Sequence, residues 1–441
     1  MPQNNSKRMN IEQLHQIFLL HPIATTDSRN CPENSIFFAL KGASFDGNEY
    51  AASALEKGCS FAVVDNPTYA TDPRCILVAD VLETLQQLAA FHRKHWGKTI
   101  LQITGTNGKT TTKELVSAVL SRSKNILWTE GNLNNHIGVP RTLLRLSEEH
   151  EMAVVETGAN HPGEIEFLCK MVQADCGLIT NVGCAHLEGF GSFEGVKKTK
   201  GELYDDLKAR QGFAFLNATD SHLSQMASER GLSTIPYVQG RVLSCNPFLL
   251  MEWIDRDGLA HPVQTHLVGA YNLPNLLAAA TVGLHFGVPA TEIDQALAAY
   301  EPTNHRSEFR RTEHNSLLID AYNANPTSMA AALANFALIE APRKMAILGD
   351  MKELGEESLS EHRKIVNLLL QSDVEEVWLV GSEFAQVCQP LLSEPGRKVE
   401  CHTFPTVEEV KQALAAQPLS DRTILIKGSN STRLYLLPEL L

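Results

Sequence analysis

Apolar positions recur at helical spacing between residues 11 and 20, which predicts a short amphipathic helix. A turn-rich stretch, T-D-S-R-N-C-P-E-N-S, separates it from an apolar run over 36–40 that reads as a strand. Runs over 58–65 and 75–78 read as further strands. From 81 to 96 the pattern turns helical, with Leu85, Leu88, Ala89 and His92 on one face and Gly97 placed to cap the end. A first domain boundary is expected near residue 97.

The next unit is a strand over 100–104, a glycine loop and a helix over 109–122. Apolar strands recur at 152–155, 177–180 and 212–216, with helical stretches between several of them. That alternation predicts a largely parallel sheet covered by helices. Short β-like runs over 230–268 are a candidate extension of that sheet, and 272–286 and 290–300 read as two helices. A third alternating unit begins near 312. Its strands are expected at 317–320, 344–348, 376–380 and 423–426, and its helices at 328–339, 360–371 and 407–416. The expected fold class is α/β in three domains. These are a small α/β N-terminal domain (1–97), a central phosphate-loop-type domain with a mostly parallel sheet (98–311), and a C-terminal Rossmann-like domain (312–441).

Length agrees, since 441 residues suit about three domains at roughly 150 residues each. The net charge of -13 argues against a nucleic-acid or anionic-membrane partner. The polar start M-P-Q-N-N-S-K-R-M-N lacks the apolar core of a signal peptide, and no apolar run is long enough for a membrane span. Nine scattered cysteines without a C-x-x-C pair fit a reducing compartment. A cytoplasmic monomer is the expectation.

Candidate chemistry concentrates at strand ends. The segment I-L-Q-I-T-G-T-N-G-K-T-T-T (100–112) resembles G-x-x-x-x-G-K-[ST], but Ile103 stands where the first glycine belongs. A helix N-terminus with free N–H groups favours phosphate, Lys109 would neutralise phosphate charge, and Thr110 could offer its hydroxyl to Mg²⁺. Glu156 ends an apolar strand and is placed to hold a hard cation. His186 lies in the loop after the strand that ends near Asn181. Taken alone, Lys197, Lys198 and Lys200 read as a solvated basic face. Asp320, at a strand end, could accept hydrogen bonds from a ribose, and Lys427 could bind an anion.

Taken in order, these segments resemble the Mur ligases of peptidoglycan precursor synthesis. The resemblance rests on T-D-S-R (26–29), F-F-A-L-K-G (37–42), T-G-T-N-G-K-T-T (104–111), G-N-L-N-N-H-I-G-V-P (131–140), E-T-G-A (156–159), N-V-G-C-A-H-L-E (181–188), K-G-E (200–202), D-A-Y-N-A-N-P (320–326), L-G-D-M-K-E-L-G (348–355) and K-G-S (427–429). It covers nearly the whole chain. D-A-Y-N-A-N-P and L-G-D-M-K-E-L-G point to the branch that adds a D-Ala-D-Ala dipeptide.

The resemblance implies ATP and Mg²⁺ as cofactors, and UDP-MurNAc-tripeptide and D-Ala-D-Ala as substrate partners. In this family the short G-T-N-G-K-T loop is the normal form, so Gly105, Thr106, Asn107, Gly108, Lys109, Thr110 and Thr111 would bind ATP phosphates. Glu156 and His186 match metal ligands. Lys200 matches a lysine that is carbamylated and helps hold a second Mg²⁺, which reverses its reading as a solvated residue. Asn272 matches an adenine contact, Arg306 a γ-phosphate contact and Asp320 a ribose contact. Ser28, Arg29, Lys41 and Asp46 match the uridine-nucleotide region, and Asn134 and Asn135 the substrate site. Lys109, Lys200 and His186 are the expected catalytic groups. Another Mur-type amino-acid ligase or a folylpolyglutamate-synthase-like ligase would share the central domain. A nucleotide-binding protein without catalysis is the alternative of a different class.

Overall fold

The computed structural model describes residues 9–302, 306–388 and 399–441. Most of the N-terminal decapeptide therefore lies outside the described residues. The chain forms three α/β domains, each built on a sheet that positions loops at its strand ends.

The first sheet has four parallel strands in the order Ile23–Thr25, Ser35–Phe38, Phe61–Val64, Cys75–Leu77. A two-stranded hairpin, Lys41–Gly42 with Phe45–Asp46, projects beside it. Helix Val81–Trp96 closes the domain. Asp80 caps its start by accepting from Glu83 N at 2.7 Å, and Gly97 ends it in the left-handed region.

The central sheet has six parallel strands, ordered Ser233–Pro236, Phe213–Leu216, Cys176–Ile179, Thr99–Thr104, Met152–Glu156, Ile126–Trp128. The chain leaves Thr99–Thr104 in one direction and later returns on its other side. The carboxyl end of this strand is therefore the switch point where open α/β sheets bind ligands. The 230–268 region corrects one expectation. Only Ser233–Pro236 extends the parallel sheet. The rest is a separate antiparallel sheet of Gly240–Cys245, Phe248–Ile254 and Ala260–Val268. A tight turn through Gly258, at φ +80°, joins the last two strands and forces the reversal.

Among the described residues the third sheet has six strands where four were expected, ordered Glu308–Arg311, Asn315–Asp320, Arg422–Lys427, Lys344–Gly349, Glu376–Val380, Glu400–Phe404. The two additions are the edges. Glu308–Arg311 pairs antiparallel and Glu400–Phe404 parallel. Both are short and polar, as edges tend to be, and so carry little strand signature.

One apolar cluster runs without a break from Leu14, Phe18 and Ile36 in the first domain, through Leu85 and Leu88 of helix Val81–Trp96, to Ile100, Val155 and Ile165 in the second. Arg93 of that helix donates to Val172 O and Gln173 O, each at 2.9 Å, and pairs with Asp175. The third domain instead has apolar clusters on both faces of its own sheet. Among the described residues no helix is long and apolar enough to cross a membrane.

Candidate active site

Ile103, the apparent defect in the phosphate loop, is fully buried within strand Thr99–Thr104. The strand continues to Thr104, so the loop starts at Gly105 and is shorter. Gly105 sits at φ +145°, and a Cβ there would lie 2.0 Å from Thr180 Oγ1. Gly108 sits at φ +77°, where a Cβ would lie 2.8 Å from Asn275 Oδ1. Only glycine fits either position.

The loop is bolted to the neighbouring strand end. Thr106 N donates to Asn181 O and Asn107 N to Asn181 Oδ1, both at 3.0 Å. Asn107 O accepts from Thr180 Oγ1 at 2.6 Å and from Asn181 Nδ2 at 3.0 Å. Helix Lys109–Leu120 starts there and points its N-terminus into the cleft. Lys109 Nζ folds back on Gly105 O (2.9 Å) and Thr106 O (3.0 Å). Burial, with Arg306 nearby, pushes its ammonium down to about 8, while Glu156 opposes the shift.

Glu156 ends strand Met152–Glu156 and is fully buried. Its Oε1 accepts from Thr110 Oγ1 at 3.2 Å and Asn134 Nδ2 at 2.7 Å, while its Oε2 has no partner among the described residues. A buried carboxylate oxygen without a partner, beside a phosphate loop, suits a hard cation. Among the described residues no three His, Cys, Asp or Glu side chains converge into a cage.

His186 adopts a left-handed backbone, φ +52°. Its Nδ1 meets the carboxylate of Glu353, which reaches over from the third domain. His186 in turn holds the Glu353 carboxyl below its usual range. Lys200 is not solvated. It lies on the inner face of helix Phe193–Ala209, 2% exposed, with Nζ 3.4 Å from Ala159 O and 5.3 Å from the Phe190 ring centre. Burial pushes its amine down to about 7, and the Lys109 charge adds to the shift.

Most of these groups border one cleft of about 970 Å³ between the central and third domains. It brings together Thr106, Asn107, Gly108, Lys109, Thr110, Thr111, Asn134, Asn135, Glu156, His186, Asn272, Arg306 and Asp320. Gly105 and Lys200 are not among the lining residues, though Lys200 Nζ lies 3.4 Å from the carbonyl of Ala159, which is. Arg306 stacks on Tyr322, with Cζ 3.8 Å from the ring centre. Asp320 Oδ2 accepts from Lys427 Nζ at 2.5 Å. Asn272 lines the cleft, but its amide donates to Val268 O (2.9 Å) and Ser307 Oγ (3.2 Å), and its oxygen accepts from Asn275.

Four groups from the first domain are not brought into this cleft: Ser28, Arg29, Lys41 and Asp46. Arg29 is exposed and forks onto Asp27, Lys41 pairs with Asp65 at 2.8 Å, and Asp46 caps the following turn. Buried Asn48 ties that hairpin together, donating to Asp46 Oδ1 (2.7 Å) and Asp65 Oδ1 (2.8 Å). Sequence reasoning overlooked Asn181, Asn275, Tyr322 and Asn325 as lining groups. Asn181, Asn275 and Asn325 each bond a partner far away in sequence.

The sequence matches the Mur ligase middle domain over residues 103–283, the Mur ligase glutamate ligase domain over 305–430, and the Mur ligase family catalytic domain over 23–93. It is 36% identical to a UDP-N-acetylmuramoyl-tripeptide–D-alanyl-D-alanine ligase of Haemophilus influenzae over 374 residues, 82% of this chain and 81% of that one. The chain belongs to the Mur ligase family. A crystal structure of MurF from Acinetobacter baumannii superposes on this Mur ligase with a TM-score of 0.84, at 30% identity over 97% of both chains. A MurF ligase from Thermotoga maritima in complex with ADP superposes at 0.81, with 25% identity over 96% of this chain and 97% of that one.

Proposed function

We infer that this Mur ligase joins D-alanyl-D-alanine to the tripeptide of UDP-N-acetylmuramoyl-tripeptide, converting ATP to ADP and phosphate. The observation that carries the reading is the meeting, in one cleft, of the phosphate loop, the partnerless carboxylate oxygen of Glu156 and the D-A-Y-N-A-N-P segment. Relatives that add the same dipeptide match at 30–36% identity over 82–98% of the chain. Against them, the single-amino-acid and folate-type alternatives are not favoured.

An amine does not displace oxide from a carboxylate. The terminal tripeptide carboxylate therefore first takes the γ-phosphoryl of ATP, giving an acyl phosphate and ADP. The dipeptide amine adds to the acyl carbon, and the tetrahedral intermediate collapses to an amide and inorganic phosphate, with the amine proton released. The loop 105–111 cradles the phosphates, and Lys109 turns from its carbonyl contacts to the transferring group. Arg306, held flat by Tyr322, faces the γ-phosphate. Asp320, steadied by Lys427, takes the ribose, and Asn272 borders the adenine. Asn134 and Asn135 face the sugar-peptide, whose uridine end would run towards Ser28, Arg29, Lys41 and Asp46.

Thr110 and Glu156 would hold Mg²⁺, with His186 offering its Nε2 because Glu353 occupies Nδ1. When bound, Mg²⁺ neutralises charge on the transferring phosphoryl. Lys200 suits carbamylation. With its amine pushed down to about 7, a neutral fraction is present at neutral pH to take up CO₂, and the resulting anion would relieve the repulsion from Lys109. Substrates of this kind put the work in the cytoplasm. We set the first boundary at 97/98 and start the third domain at strand Glu308–Arg311, whose pairing joins it to that sheet.

A phosphate-release assay with UDP-muramoyl peptides of different third residues tests the reading. Phosphate should appear only with ATP, a tripeptide substrate and D-Ala-D-Ala together, with pentapeptide as product. Turnover that ignores the dipeptide would refute it.

A further inference from the structure

Asn325 stands at the start of helix Pro326–Leu338 in the third domain, 218 positions from the phosphate loop that it touches. Its carboxamide is fixed at one end. Oδ1 accepts from Ser328 N at 2.9 Å, and Ser328 Oγ accepts from Asn325 N at 3.1 Å, a reciprocal helix cap. With the oxygen turned to the cap, where it also accepts at 3.5 Å from Asn107 Nδ2, the NH₂ group faces outward. It donates to Asn107 Oδ1 at 2.7 Å.

The Asn107 backbone is itself committed. Its N–H and C=O are both used on Thr180 and Asn181 inside the central domain. Only its side chain is left to reach across. Both partners are therefore rigid, and Asn325 is largely buried. Thr327 packs alongside, with Oγ1 3.2 Å from where a Cβ on Gly183 would stand. The direct bond thus joins the tip of the phosphate loop to the first turn of a third-domain helix.

We propose that Asn325 is a positioning residue of the ligation reaction: by donating to Asn107 it seats the third domain on the phosphate loop. Asn325 need not touch substrate. It sets where Asp320, Tyr322 and Lys427, carried by the same domain, enter the cleft. The proposal rests on the ligation reading given above for its kinetic readout, and on geometry alone for its structural one.

Asn325→Ser in the full-length chain separates this role from capping. Serine is as good an N-cap, so the melting temperature should stay within about 2 °C of wild type. It is too short to reach Asn107. The expected result is a fall of about three- to tenfold in kcat/KM for both ATP and D-Ala-D-Ala, the usual worth of one hydrogen bond, because Asp320, Tyr322 and Lys427 move with the domain. The double variant with Asn107→Ala should lose no more than Asn107→Ala alone. Small-angle scattering with ADP and Mg²⁺ should give Asn325→Ser a larger radius of gyration than wild type. That readout stands even if the substrates have been misassigned. A wild-type kcat/KM in an active enzyme, or a scattering curve identical to that of wild type, would overturn the proposal.

Discussion

Replacing Glu156 by Gln probes the centre of the cleft with almost no change of shape. The amide oxygen can still accept from Thr110 and Asn134, as Oε1 does now. The NH₂ takes the place of Oε2, the atom without a partner, and the negative charge disappears. The apoprotein should be as stable as wild type or more so, since a buried charge is removed. Mg²⁺-dependent nucleotide binding should suffer. At a ligand concentration of one hundred times Kd, binding stabilises by about 2.7 kcal/mol, and after a hundredfold loss of affinity by about 0.4 kcal/mol. At roughly 2–4 °C per kcal/mol for a domain of this size, the thermal shift with ATP and Mg²⁺ falls from about 5–11 °C to about 1–2 °C. Turnover should fall about 10²–10³-fold, or about 3–4 kcal/mol of transition-state stabilisation. Thermal melts with and without ATP, Mg²⁺ and a chelator, together with phosphate release, measure both. A variant that kept the full Mg²⁺-dependent shift, or turned over within threefold of wild type, would refute the assignment of Glu156 to the cation.

Lys109→Ala should abolish turnover, with less than about 1% remaining, while circular dichroism and apo melting stay at wild-type values; near-normal ligation would remove the loop from the chemistry. Lys200→Ala should be inactive and partly restored by millimolar short-chain carboxylates that stand in for the carbamate; full activity without them would count against carbamylation. Because the folded-state pKa of Lys200 is depressed to about 7, the unfolded chain binds more protons between pH 7 and 10, and this residue makes apoprotein stability rise with pH across that window. Lys200→Met should flatten that rise in urea titrations made at a series of pH values.

Most of the architecture was legible because the interior strands are continuous apolar runs and the main helices carry caps. Helix Val81–Trp96, strand Glu376–Val380 and helix Val407–Ala416 fall where periodicity put them. Edge strands were illegible for a physical reason: E-F-R-R and E-C-H-T-F are half-buried, mostly polar and lack a continuous apolar run. The antiparallel sheet of 240–268 alternates like any half-buried strand, and alternation does not say which sheet a strand joins. Lys200 was misread locally although a signal existed. Val196, Leu203, Tyr204 and Leu207 lie three, four and seven residues from it, so position 200 falls on the buried stripe of helix Phe193–Ala209. The Asn107–Asn325 contact left no local trace, since neither residue signals a partner two hundred positions away.

The apolar cluster shared by the first two domains has a consequence for dissecting the chain. A fragment ending at residue 97 would present Leu85, Leu88 and Trp96 to water without Ile100, Leu144 and Leu168 to cover them, and would aggregate on expression. The segment from 308 onward keeps its core clusters almost entirely to itself, so it suits isolated production and spectroscopic labelling. Reagents aimed at the first domain must be raised against the pair 9–302, since by its packing that pair is a single body.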